Sequence, residues 1–269
     1  MSFRTWCRNQ LIRAIGSFRD PTESSNSPTY RILSYHRIRA QQQVAFQHQL
    51  DRLQKKYNIV TPEEFRADEG SSKTLNLLLT FDDGYLDWES QVLAELNKRN
   101  LKAVFFICPD LVGLNKEDAA EYFETHLNLQ PTLALTDSGV QRILQEGHTL
   151  GDHFVRHADL RDTRDKQKIL SIIDESLSTF RKRFELTPDW LAYPFGDHFE
   201  GAETLRECVS NHYSYGLTLI PGTNSKDTDP YFLRRDAFSP DYSPSLEDAW
   251  LSGGFDPIFQ LTHSTYTLP

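Results

Sequence analysis

Two acidic residues follow the most apolar stretch of the sequence and could do chemistry together. Asp82 and Asp83 come directly after residues 77–81 and stand before Gly84. Adjacent carboxylates at the end of a buried strand need water, a cation or a proton to relieve their repulsion. An Asp-Asp-Gly sequence is also typical of a turn in which an aspartate caps the next helix. Taken alone, the pair therefore predicts either a functional site or a turn.

Two histidines supply donors that would complement these carboxylates. His153 and His157 are four residues apart and follow another strand-like segment, and neutral imidazole is a good ligand for zinc and similar metals. With nine histidines in 269 residues such a spacing also arises by chance, so surface or core histidines are the alternative. Joined to Asp83, the pair makes a two-histidine, one-carboxylate set that leaves coordination positions open for water and substrate, as catalytic sites do. Asp82 then stays free to act as a base, which indicates metal-assisted hydrolysis.

These residues resemble three motifs of the polysaccharide deacetylases, also called carbohydrate esterase family 4 or the NodB-homology domain. Thr-Phe-Asp-Asp-Gly at 80–84 matches the first motif, 153–157 matches the HxxxH second motif, and Ala-Tyr-Pro-Phe-Gly at 192–196 resembles the third, RxPY. The resemblance covers roughly residues 30–240. It implies a distorted (β/α) barrel of about seven parallel strands. It also implies the removal of an acetyl group from an N-acetylated sugar, most often N-acetylglucosamine within a glycan.

Carried over residue by residue, the resemblance implies a base, three metal ligands and an oxyanion donor. Asp82 would be the general base, and Asp83, His153 and His157 would hold one divalent cation, zinc in preference to cobalt or nickel. The backbone N–H of Phe195 would complete the oxyanion hole. The family has tyrosine at this position, and phenylalanine should serve equally because the donor belongs to the main chain.

The leaving amine needs a proton, and two histidines are candidates for the acid. His36, in Ser-Tyr-His-Arg-Ile, resembles the YHxI segment of the branch that acts on poly-N-acetylglucosamine-type exopolysaccharides. His263 resembles the LxxH motif of the more usual members, with the leucine one position out of register. Of the two, His36 is favoured. For either residue the alternative is a histidine that only hydrogen-bonds a backbone carbonyl.

The sequence departs from the family pattern at two positions of the site. Ala192 stands where the family has an arginine that orients the base, and Arg234 or Arg235 could supply that charge, unless both are solvated surface residues. Phe154 replaces a serine or threonine, which predicts a lost hydrogen bond and weaker metal binding. Two other functions therefore stay open: a non-catalytic glycan-binding protein on a decayed barrel, and an amidohydrolase for a small non-sugar amide.

The elements that must position these groups alternate between strand-like apolar runs and segments of helical period. Strands are predicted at 30–35, 75–81, 101–108, 148–153, 190–195, 214–220, 232–238 and 258–262. Seven or eight strands that alternate with helices favour a closed or nearly closed parallel α/β barrel. An open doubly wound sheet is the alternative, although the sequence has no glycine-rich phosphate loop. Segment 111–137 has little periodicity and is predicted as a long loop at the active face.

Composition and charge limit the partners and the compartment. The 29 Lys and Arg residues against 38 Asp and Glu give a net charge of −9, and this disfavours nucleic acid binding. Residues 1–28 form a basic amphipathic segment and a polar linker ahead of a barrel domain at 29–269, and 1–19 could lie peripherally on a membrane or cover the barrel. Without a continuous signal-peptide core or paired cysteines, we expect a cytoplasmic protein.

Overall fold

The computed structural model describes residues 11–12 and 27–262, and its centre is a parallel sheet. Within 27–262 the strands are β1 (Tyr30–Tyr35), β2 (Asn58–Ile59), β3 (Asn76–Phe81), β4 (Ala103–Ile107), β5 (Thr149–Asp152), β6 (Trp190–Ala192), β7 (Tyr215–Leu217) and β8 (Asp236–Ala237). Every pairing between these strands is parallel.

The strand order follows the barrel pattern. It runs β7, β6, β5, β4, β3, β1, β8, and β2 lies beside the first residues of β3. Leu233 pairs with Leu217 of β7, and the same segment continues into β8, which pairs with β1. Residues 233–237 thus link the two outer ends of the sheet. The predicted distorted barrel is confirmed, and the doubly wound alternative is wrong because the order does not reverse at a switch point.

Helices cover the outer face of this sheet. In the described chain the α-helices are α1 (Gln43–Lys56), α2 (Pro62–Arg66), α3 (Leu93–Lys98), α4 (Lys116–Thr125), α5 (Asp137–Gln145), α6 (Lys166–Phe184), α7 (Ala202–Ser210), α8 (Pro244–Leu251) and α9 (Asp256–Thr262). α5 begins after Thr136, whose side chain accepts a hydrogen bond from the Gly139 N–H. None of the helices described here is both long and apolar enough to span a membrane.

The continuous apolar runs of the sequence are explained by burial on both faces of the strands. Alternate residues of β1 and β3, such as Ile32 and Leu78, join an interior cluster with Val104 and Phe106. Their neighbours pack outward in the large cluster under the helices, as Leu79 does. The core therefore lies both inside the barrel and between the barrel and its helices.

The register of β3 is fixed at its first residue. Asn76 is buried, and its side-chain amide donates to the carbonyl oxygens of Thr29 and Ser71. Its Oδ1 accepts from the Ser71 N–H and from the Asn58 side chain. An apolar residue could not replace these bonds, so the strand has one favoured alignment at this end.

Two predicted elements differ from the structure. Residues 258–262 lie in α9, and an aspartate followed by Pro257 at its start is a helix-initiating pattern that a short apolar run conceals. Segment 111–137 contains α4, where the Asn115 side chain caps the helix by accepting from the Asp118 N–H. Most of the predicted segment 1–28, and His263, lie outside the described residues.

Candidate metal centre

The candidate site forms where β1, β3 and β5 end. The register places Tyr35 beside Phe81, so His36 and Asp82 leave neighbouring strands at the same level. The Cys108 N–H donates to the Asp83 carbonyl at 3.2 Å. One strand further along the sheet, the His153 N–H donates to Ile107 at 2.9 Å. These bonds fix the carboxyl ends of three adjacent strands at one edge of the barrel, which is where parallel α/β folds place their sites.

The three predicted metal ligands converge there and are all buried. Asp83 Oδ1 lies 3.3 Å from His153 Nε2 and 3.7 Å from His157 Nε2. One donor atom from each side chain lies within 4.8 Å of the other two, and among the described residues no other His, Cys, Asp or Glu group forms such a cluster. The backbone turns sharply to allow this, since Asp83 has φ 88° and Gly84 has φ 111°, a conformation that favours glycine.

The donor set fits a small divalent cation. Donor atoms around one ion at about 2.1 Å lie about 3.0–3.4 Å apart, and the distances from Asp83 to the two histidines are close to this range. His153 Nδ1 lies 2.7 Å from the Ala192 carbonyl, so Nδ1 carries the proton and Nε2 keeps its lone pair for a metal. The Tyr85 hydroxyl donates to Asp83 Oδ2 at 2.8 Å, which turns Oδ1 toward the histidines.

The electrostatics favour the metal-binding forms of Asp83 and His157. Burial would raise the pKa of Asp83, but the neighbouring histidines, His153 first, outweigh it and hold this pKa well below its ordinary value. Burial and His153 lower the pKa of His157 to about 4. At neutral pH, therefore, Asp83 is ionised and the His157 ring is neutral, as ligands of a divalent cation must be.

Asp82 is held apart from the three ligands by its own partners. Arg235 Nη1 donates to Asp82 Oδ1 at 2.7 Å, and the Ser34 hydroxyl donates to Oδ2 at 3.1 Å. Burial would raise the pKa of Asp82, but Arg235, His153 and His36 outweigh it and lower this pKa. The carboxylate is therefore ionised and oriented beside the three-donor set.

Arg235 supplies beside Asp82 the positive charge that Ala192 cannot provide. Its side chain is fully buried, with Nε donating to the Thr218 carbonyl at 2.8 Å and Nη1 also reaching Thr80 Oγ1 at 3.2 Å. The surface-charge alternative is therefore wrong for Arg235. Arg234 instead donates to the Pro221 carbonyl and does not approach the carboxylate.

Two further carboxylates shape the loop that carries the histidines. Asp152 is buried and accepts from the Phe154 N–H, and Asp110 accepts from the Arg156 N–H through both oxygens. Phe154, Arg156 and His157 all have positive φ, between 48° and 55°. The side chain of Phe154 is fully buried in the core, so it makes none of the polar contacts that a serine or threonine could offer.

Phe195 and His36 lie next to the site. The Phe195 ring meets the His157 ring edge to face, with centroids 4.7 Å apart. Among the described residues no acceptor takes the Phe195 N–H, which leaves this donor available. His36 is half-buried, and its charge lowers the pKa of both Asp82 and Asp83, as expected of a close neighbour.

The sequence did not reveal Ser34, Tyr85, Asp110 or Asp152. Ser34 gave the clearest signal, since it alternates with Tyr30 and Ile32 on the interior-facing side of β1 and lacks their large apolar side chains. Asp110 lies two residues after the predicted strand 101–108, and Asp152 is the next-to-last residue of the predicted strand 148–153, but no recognised spacing distinguishes them.

Comparison with known proteins gives one consistent result. The family described as polysaccharide deacetylase matches residues 67–212. Bacillus subtilis YxkH, assigned to the polysaccharide deacetylases, is 27% identical over 199 residues, which cover 72% of this chain and 64% of the relative. A peptidoglycan-N-acetylglucosamine deacetylase of Bacillus cereus is 29% identical over 135 residues, which cover 50% of this chain and 41% of the relative. The chain thus spans less than two thirds of both curated relatives.

The fold also matches a solved structure. IcaB from Ammonifex degensii superposes with a TM-score of 0.67 at 20% identity, and the match covers 84% of this chain and 98% of that one. At this identity the likeness shows the fold alone.

Proposed function

This chain belongs to the polysaccharide deacetylase family, and we propose that it is a metal-dependent hydrolase that removes N-acetyl groups from a glycan of the N-acetylglucosamine type. One observation carries the proposal. An ionised Asp82, oriented by Arg235, lies beside a buried set of one carboxylate and two imidazoles that fits a divalent cation. Structural metal sites are closed by protein ligands, whereas this set leaves room for water and substrate.

The site's own residues divide the hydrolysis between them. Asp83, His153 and His157 would hold the cation, with zinc favoured by nitrogen and oxygen donors. When bound, the cation would act as a Lewis acid that polarises the acetamide carbonyl. Asp82 takes a proton from water as the water oxygen bonds to the carbonyl carbon, and the Phe195 N–H stabilises the negative oxygen that results.

The carbon–nitrogen bond then breaks, giving acetate and a free amine, and the amine must gain a proton to leave. We assign this step to His36, because it directly follows β1, the strand next to β3, and is close enough to lower the pKa of both Asp82 and Asp83. This assignment places the chain in the exopolysaccharide-type branch of the family.

Acetate release from N-acetylglucosamine oligomers of increasing length tests the function. We expect release with added Zn²⁺ or Co²⁺ and its loss on chelation. Asp82→Asn should abolish turnover yet bind one divalent cation, whereas His153→Ala should lose both. The matched control is Asp227→Asn, an exposed aspartate close to Asn224, which pairs with the opposite end of β1.

The outcomes separate the competing functions. Stoichiometric metal without acetate release from any sugar, but with hydrolysis of small amides, would favour the amidohydrolase. Failure to bind a cation would favour the non-catalytic glycan-binding protein. Near-normal turnover by Asp82→Asn would show that this residue is not the base.

A second pair of variants tests the acid. His36→Ala should lower kcat and remove the alkaline limb of the kcat pH profile, while His263→Ala should leave both unchanged. The reverse result would assign the acid to His263.

A further inference from the structure

Phe195 occupies an unusual backbone conformation at the edge of the site. Its φ is 62°, which L-residues rarely adopt, and the Gly196 N–H donates to the Pro194 carbonyl at 2.7 Å across it. This three-residue turn with a positive central φ is strained. Such strain persists only where the surroundings fix it, and it concentrates at functional sites.

Arg161 provides much of that fixation. Its guanidinium lies over the Phe195 ring at 4.6 Å from the centroid. The same group binds Asp159 through Nε and Nη2 and Asp197 through Nη1, the latter at 2.7 Å. The backbone carbonyl of Arg161 also accepts a hydrogen bond from the Glu200 N–H at 2.8 Å. One side chain therefore joins the loop after the histidines to the loop that carries Phe195.

These contacts do more to set position than to stabilise the fold. The Arg161 side chain is 21% exposed, and both of its aspartate partners are 38% exposed. Ion pairs so open to water add little to stability. A planar guanidinium that uses its edge for two carboxylates and its face for a ring nevertheless has few alternative orientations.

We propose that Arg161 is a positioning residue that holds the Phe195 turn so that its N–H points at the reacting carbonyl. The proposal rests on the proposed deacetylation, in which this N–H stabilises the oxyanion. Arg161 itself does not touch the substrate. It acts on the reaction only through the geometry of Phe195.

The first test needs no substrate and no metal. The backbone amide resonance of Phe195 is recorded for wild type, Arg161→Gln, Arg161→Lys and Arg164→Gln. Arg164 lies in the same loop and is 71% exposed, with one long contact to Glu200, so it is the matched control. We expect the resonance to move in both Arg161 variants and to stay in place in the control.

The second test measures turnover at saturating Zn²⁺ on the N-acetyl oligomer that wild type cleaves. Both Arg161 variants should lose about 10- to 100-fold in kcat with little change in KM, because the oxyanion donor is misplaced only in the transition state. The loss should be smaller on the N-thioacetyl analogue, since sulfur is a weak acceptor and gains less from the N–H. A general loss of folding would lower both rates equally.

The results separate this proposal from the proposed function. Absence of acetate release by wild type would overturn the proposed function and, with it, the effect of Arg161 on the reaction, whether or not the Phe195 resonance moves. Active wild type with an unmoved resonance, or with equal losses on both substrates, would overturn the positioning role alone. Full rescue by Arg161→Lys would also overturn it, because lysine restores the charge without the planar contacts.

Discussion

Replacing His148 by asparagine should make the stability of this protein less sensitive to acid. His148 stands just before β5 and is buried, with its ring packed edge to face on Phe105 at 5.3 Å. Its Nδ1 accepts from the Ala103 N–H at 3.3 Å, and within the described chain its buried Nε2 has no partner. A second proton would break the bond to Ala103 and place a charge in the core.

The pKa of His148 shows the size of this effect. Burial, with a smaller contribution from Lys102 and against the opposing effect of Glu146, lowers the pKa from 6.5 to about 4. Between these values the unfolded chain binds the proton and the folded chain does not, so stability is lost as the pH falls from 6.5 to 4. At about 1.4 kcal/mol per pH unit, the loss amounts to about 3 kcal/mol.

Urea unfolding of metal-free protein at several pH values between 4 and 7 measures this loss of stability. Asparagine offers Ala103 an acceptor but takes no proton, so the drop in unfolding free energy across this range should be about 3 kcal/mol smaller in His148→Asn than in wild type. All other titrating groups contribute equally to both chains and cancel. The control is His48→Asn, an exposed histidine of α1, which should match wild type. Parallel pH profiles for His148→Asn and wild type would refute the reasoning.

Three further variants probe the site and its supports. Arg235→Met leaves a buried carboxylate unpaired, so the free energy of unfolding should fall by about 3–5 kcal/mol. The pKa of Asp82 should rise, which moves the acid limb of the kcat/KM profile to higher pH; an unmoved limb would contradict the pairing. Tyr85→Phe removes the hydrogen bond to Asp83 and should weaken Zn²⁺ binding about 10- to 100-fold in calorimetric titration of metal-free protein, and unchanged affinity would exclude this role. Arg31→Met breaks a fully buried ion pair with β8 and should cost a similar 3–5 kcal/mol in urea while sparing Zn²⁺ affinity.

Local sequence patterns predicted most of the fold, because apolar runs indicate buried strands and their alternation with helical segments indicates parallel strands. The strands predicted at 30–35 and 75–81 correspond to β1 and β3. A run of three to five apolar residues has no resolvable period, and the strand predicted at 258–262 is therefore a helix. The sequence also could not show whether Arg235 faced water or the core, since nothing local marks a residue that pairs across 153 positions.

The same limit applies to the site. Asp83, His153 and His157 come together as their motifs indicate. Ser34 and Tyr85 are additions that only the folded chain reveals, because their contacts with Asp82 and Asp83 follow no recognised spacing. The spacing of residues within a sequence motif identifies groups that could bind a common ion. The groups that orient them lie elsewhere in the sequence and come close only when the strands pair.

Asp82 and Asp83 are adjacent in the chain, yet one meets an arginine and the other two imidazoles. Slipping β3 by one residue would move one of them to the other's position and remove the other from the site. Asn76 sets that alignment from the far end of the strand, about 20 Å away at some 3.3 Å per residue. In the proposed reaction, a neutral amide that touches neither carboxylate thus helps decide which of them receives a proton and which binds a cation.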